Sequence, residues 1–177
     1  HYKARFDADG ATYYPLFGSR QPRHCPLAMS LLSATSGGQS IPLAPASAAV
    51  RDGEDVVIDR GVIDEVYEVG LDGLEQTFVV GQRPQGNLTL FVRLDTELTR
   101  IETPEGLEFA HEQGGIRYGH AFAREPDGMR HALATRIVEG GVEIEVEAAY
   151  LATARYPLVV DPFVSTFVVD NSSFDNR

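Results

Sequence analysis

Along most of the chain apolar and polar residues alternate with a period of two, the period of a strand with one dry face and one wet face. In Leu88-Thr89-Leu90-Phe91-Val92-Arg93-Leu94, the residues Leu88, Leu90, Val92 and Leu94 share a face. Residues 142–147 are stricter still: Val142, Ile144 and Val146 fall on one side, and Glu143, Glu145 and Glu147 on the other. A helix would scatter that pattern around its circumference, whereas a half-buried antiparallel strand requires it. Further strand candidates lie at 56–58, 62–69, 74–80, 116–123, 132–138 and 157–160.

Asp-Gly pairs (Asp9-Gly10, Asp52-Gly53, Asp72-Gly73, Asp127-Gly128) and Gly-Gly pairs (37–38, 114–115, 140–141) punctuate these runs. Such pairs supply the positive φ angles that tight hairpins need, and their spacing of about 8–12 residues suits a sandwich or barrel. One helical piece is predicted, at residues 147–154, where alanines and Leu151 precede Pro157. The expected fold is all-β: an antiparallel β-sandwich of two sheet layers with at most one short helix.

Three zones are expected. Residues 1–54 form an irregular N-terminal part packed on the main domain. Pro22, Pro26, Pro42 and Pro45 there confine strands to edges, with one or two expected around 27–32. Residues 55–162 form the sandwich. Residues 163–177 form a C-terminal strand and a linker toward a following domain or partner. The run 163–169 carries no charge and is strongly β-prone, so left unpaired it is an aggregation hazard. It is expected as an edge strand on this chain or on a partner's sheet, with Phe163, Phe167 and Val169 as candidate interaction residues.

Charge and composition exclude more than they assign. At 177 residues the chain can bury a core without staples. The net charge of −11, with Lys3 as the single lysine, opposes nucleic-acid binding, whose affinity comes from basic side chains. No apolar run approaches the ~18 residues of a membrane span. Cys25 is the sole cysteine, so no intrachain disulfide exists, and neighbouring His24 would point to the opposite face of a strand. The chain opens on His1 without a signal-peptide pattern, and the expectation is a piece of a larger polypeptide.

Candidate chemistry is sparse. His1, His24, His111, His120 and His131 show no metal-ligand spacing; only His111, His120 and His131 could converge, through neighbouring hairpins. Asp7-Ala8-Asp9-Gly10 opens like a calcium loop but lacks its later ligands, so a plain turn is favoured. Glu143 and Glu145 share a face, as glycosidase carboxylates must, yet that face is the solvated one. Ser165 and Ser172 have no histidine at a recognisable spacing. Asn87 and Asn171 match a glycosylation acceptor pattern. No catalytic, cofactor or metal residue is assigned.

Three segments carry a resemblance. Gly73-Leu74-Glu75-Gln76-Thr77-Phe78, Gly115-Ile116-Arg117-Tyr118-Gly119 and Tyr156-Pro157-Leu158-Val159-Val160-Asp161-Pro162, followed by Thr166-Phe167-Val168-Val169-Asp170, occur in that order. Together they resemble a β-rich domain of large exported proteins of planctomycetes and myxobacteria, which sits ahead of β-propeller-type or FG-GAP-like repeats. The resemblance covers about residues 62–170. It implies an extracellular or cell-surface location and no catalytic residues. The expected function is therefore a non-catalytic scaffold module that spaces or assembles neighbouring domains or like chains through edge strands. The alternative is a glycan- or ligand-binding accessory module of a secreted enzyme or adhesin, with Tyr13, Tyr14, Tyr67 and Tyr118 as platforms.

Overall fold

The structure is a computed structural model that describes residues 2–16, 25–45, 48–71, 73–112 and 114–168. Eighteen strands and one short helix are present among them. The first sheet contains β1 (Tyr2–Asp7), β2 (Gly10–Pro15), β3 (Leu27–Ser36), β4 (Gln39–Ile41), β9 (Leu88–Asp95), β15 (Ala134–Val138) and β16 (Gly141–Val146). The second contains β5 (Val50–Asp52), β6 (Asp55–Asp59), β7 (Ile63–Val69), β8 (Gly73–Val80), β10 (Thr99–Thr103), β11 (Gly106–His111), β12 (Gly114–Gly119), β13 (Phe122–Arg124), β14 (Arg130–Ala132), β17 (Leu158–Asp161) and β18 (Phe163–Val168). The described ladders are antiparallel, and the chain is an all-β sandwich.

Alternation does what the sequence predicts at β9 and β16, which pair with each other in the first sheet. Val142, Ile144 and Val146 are buried, as are Leu88, Leu90, Val92 and Leu94, while Glu143 and Glu145 face out and hold Arg136 at 3.4 and 3.3 Å. The inward faces of β8, β17 and β18 meet them with Leu74, Phe78, Val80, Leu158, Val160 and Val164. The helix shrinks to α1 (Ala148–Leu151), whose first backbone N–H donates to the Asn87 side chain at 2.9 Å.

The expectation of an edge strand around 27–32 is corrected, although β1, β4 and β5 in the same zone do lie at edges. β3 is an interior strand between β2 and β9, ten residues long, because Pro26 precedes its run, the Gly37-Gly38 turn ends it and no proline interrupts it. A register shift between Leu31 and Ser33 leaves Leu32 exposed.

The expected edge strand at 163–169 is corrected too. β18 lies inside the second sheet, paired with β12 on one side and β8 on the other. Val160 faces Phe78 and Phe163 faces Glu75, so β17 and β18 are one strand in unbroken register across Pro162. On their other edge Tyr118 faces Val164 while Phe122 faces Asp161, so β12 and β13 are likewise one strand carrying one extra residue at 120–121. The predicted run 132–138 divides at Leu133, placing β14 in the second sheet and β15 in the first.

Between the layers sits a buried polar network. The Glu65 carboxylate, fully buried on β7, accepts from Arg60 Nε and Nη2 at 3.0 and 2.8 Å, from the Tyr67 hydroxyl at 2.5 Å and from Gln76 Nε2 at 3.0 Å. Gln76 in turn accepts from the Tyr118 hydroxyl at 2.9 Å. The remaining Arg60 donors go to the carbonyls of Ala8 and Asp9 at 3.0 Å, in the turn of the β1–β2 hairpin. Burial in this network, with the Glu65 charge beside them, pushes the Tyr67 and Tyr118 hydroxyl pKa values well up.

Arg60→Met should strand the Glu65 charge and cost about 3–5 kcal/mol in urea unfolding, with Arg60→Met/Glu65→Gln recovering part of it. A loss below about 1 kcal/mol would show that water reaches the site. Deleting residues 163–177 removes an interior strand, so the truncated chain should lose its cooperative thermal transition. An unchanged melt would overturn the interior assignment.

Candidate functional site

The three motif segments are not scattered: they occupy β12, β17–β18 and β8, which are adjacent strands. Alternation splits each of them between two duties. Leu74, Gln76 and Phe78 point inward, and Glu75, Thr77 and Val79 point outward. Ile116 and Tyr118 point inward, and Arg117 outward. On β17–β18, Val160 and Val164 are buried, so Asp161, Phe163, Ser165 and Phe167 line the outer face.

Glycines set the height of the two rings. A Cβ on Gly73 would lie 2.9 Å from Phe163 Cζ, and one on Gly115 would lie 2.6 Å from Phe167 Cζ, so the tip of each ring reaches over a neighbouring strand where only hydrogen fits. Arg117 sits 5.6 Å above the Phe167 ring and pairs with Glu108 at 2.6 Å. Arg130 sits 4.6 Å above the Phe122 ring. Phe163 remains 42% exposed, large for an aromatic ring in mid-sheet.

The charges on this face are sorted apart from Glu108, which pairs with Arg117. Asp55, Asp64, Glu68 and Glu75 lie on the β6–β8 side, and Arg117, Arg124 and Arg130 on the β12–β14 side. Asp161 at the boundary, nearly buried, takes Arg124 at 3.9 Å and Arg130 at 3.7 Å. Glu75 is hydrogen-bonded to Asp161, and its pKa is raised, first by burial and then by that bond and the Asp161 charge; the two arginines oppose the shift. Asp64 is raised as well, by burial and by Asp59.

Of the residues named from sequence, Phe163 and Phe167 come together on this face. Val169, His1, His24, Asn171 and Ser172 lie outside the described residues. Tyr13, Tyr67 and Tyr118 are core residues, which corrects their assignment as platforms; only Tyr14 is partly open. Tyr13 instead donates to or accepts from Thr166 at 2.5 Å across the sandwich. Cys25 is buried. The histidine trio does not converge: His120 meets the Pro104 carbonyl at 3.0 Å, and His131 stacks on Tyr150 at 4.2 Å. Among the described residues no group of three or more His, Cys, Asp or Glu is placed to hold a metal ion. Asp7 accepts from the Asp9 N–H at 3.0 Å, an ordinary turn contact. Asn87 is exposed, its amide 3.3 Å from Glu145. Ser165 sits between Arg117 and Gly73 in the ladder.

Arg117, Arg124, Arg130 and Phe122 escaped the sequence reading, although their phase, opposite to Ile116, Tyr118 and Ala123, marks them as outward. A cleft of about 440 Å³ adjoins this face and shares Asp64 and Val79 with it, lined also by Ile41, Val62 and Arg83 among others. No helix among the described residues is long and apolar enough to cross a membrane. Comparison of the chain with protein-family models, curated proteins and solved structures finds no match.

A carboxyl whose folded pKa is raised favours its neutral form, so its contribution to stability is lost as pH rises from the ordinary glutamate value through the raised one. Glu75→Gln should therefore stabilise the fold at pH 7.5 and leave it unchanged near pH 4, in urea melts at both. An equal effect at the two pH values would show that charge is not the cause.

Proposed function

We propose that the chain is a non-catalytic scaffold module of a larger secreted or cell-surface protein, acting in domain spacing or assembly through the outer face of its second sheet. One observation carries the reading. Phe163 and Phe167 reach over glycines in mid-sheet, and Arg117, held by Glu108, sits above the Phe167 ring, so little side-chain freedom is lost when a partner covers them. Phenylalanine and arginine are among the residues that interfaces favour at their centres. The inner halves of the same strands supply the buried network and the core, which keeps the face rigid. The resemblance of the three motif segments to a domain ahead of repeat regions supports an extracellular, multidomain setting.

A second reading, a ligand-binding accessory module, rests on the cleft of about 440 Å³, a size that suits a small ligand. A thermal-shift screen against oligosaccharides would favour it if any raised the melting temperature and Val62→Arg abolished the effect.

Hydroxyl-radical footprinting tests the scaffold reading. Phe163 should be oxidised readily in the isolated chain and at least about fivefold more slowly within a longer polypeptide that contains the module, where a neighbour excludes water. Equal oxidation in both would sink the proposal.

A further inference from the structure

Resting on the reading of this face as an assembly surface, we infer that its partner is the same face of a second copy, related by a twofold axis parallel to the strands and lying between β8 and β17. A symmetric interface of this kind demands a patch that complements itself across the axis. Two rows of the outer face do so.

In the first row the ladder sets Asp64, Val79, Val159 and Arg124 side by side on β7, β8, β17 and β13. Rotation about the axis lays Val79 on the copy's Val159, and Asp64 on its Arg124. In the second row Val66 lies beside Thr77, and Phe122 beside Asp161. The same rotation lays Val66 on the copy's Phe122. In these rows acid meets base and apolar meets apolar, twice each by symmetry, and Thr77 meets the copy's Asp161; one row on, the rotation lays Glu75 on the copy's Phe163. All six residues of the acid–base and apolar matches are half-buried, so they are open to contact. Asp64 has no ionic partner among the described residues and is crowded by Asp59, so a guanidinium opposite it removes a repulsion. Two sheets packed face to face keep their strands within about 30° of each other, the arrangement that such an axis produces.

Charge swaps decide the matter. Sedimentation velocity on the full 177-residue chain, over a concentration series, should show a monomer–dimer equilibrium. Asp64→Arg and Arg124→Asp should each weaken dimerisation roughly a hundredfold by setting like charges together. Mixing the two variants should restore the dimer, because every introduced charge then meets its opposite. Should Arg124→Asp fail to fold by circular dichroism, Val79→Arg serves in its place: it sets two arginines near the axis and should leave a folded monomer. A wild-type chain that stays monomeric throughout overturns the inference, as does a dimer that survives both single swaps. If the chain is monomeric while Phe163 is still shielded in the longer polypeptide, only the identity of the partner falls. If Phe163 is unshielded there, the assembly reading falls with it.

Discussion

A carboxylate with no access to water is the constraint on which the sandwich depends. Buried charge costs several kcal/mol unless it is paired and its lone pairs are filled, and Glu65 has both conditions met by Arg60, Tyr67 and Gln76, all close to it in sequence. Its counter-ion Arg60 spends its other donors on the β1–β2 turn of the opposite sheet. A slip of either layer by one residue would break the two Arg60 bonds to the turn and leave guanidinium donors unfilled. The pair thus contributes less to net stability than to fixing how the two sheets sit on each other. Around it, Tyr2 donates to Gly70 and Gly73, and Phe6 packs 5.3 Å from Tyr67, so the N-terminal hairpin is fastened to the second sheet by several bonds of the same sense.

Because side chains alternate, the strands that carry this network also carry the outer face. Gln76 and Tyr118 serve the interior, while their neighbours Glu75 and Arg117 serve the surface. A substitution on one side acts on the backbone of the other. Glycine is needed at 73 and 115 because the carbonyls of Val164 and Phe109 leave no room for a Cβ, and the tips of Phe163 and Phe167 reach into the same space.

The sheets were legible where one strand face is wet. Val142, Ile144 and Val146 declare their direction because glutamates separate them. Burial on both sides, or pairing on both sides, leaves no such mark. β18 reads as a lone apolar run, and nothing local says that β8 and β12 flank it. The prolines around β3 mislead in the same way, because their density over a zone says nothing of a strand whose own run they leave intact. Glu65 did leave a signal: it is in phase with Ile63 and Tyr67, which makes it a charge aimed at the core. Its partner could not be found that way, since Arg60 sits in a bend whose direction only the fold sets. The same phase argument puts Tyr67 and Tyr118 in the core and Phe163 and Phe167 outside it.

Pro162 interrupts the ladder without shifting it, so the segment from Leu158 to Val168 stitches β8 to β13 at one end and to β12 at the other. During synthesis this stitch leaves the ribosome after every strand it joins. Until then β8 and the β10–β12 meander present raw edges with nothing between them, and the second sheet exists as two halves. Closure is a late, long-range event of the kind that makes β-rich chains slow to fold and dependent on protection while they wait.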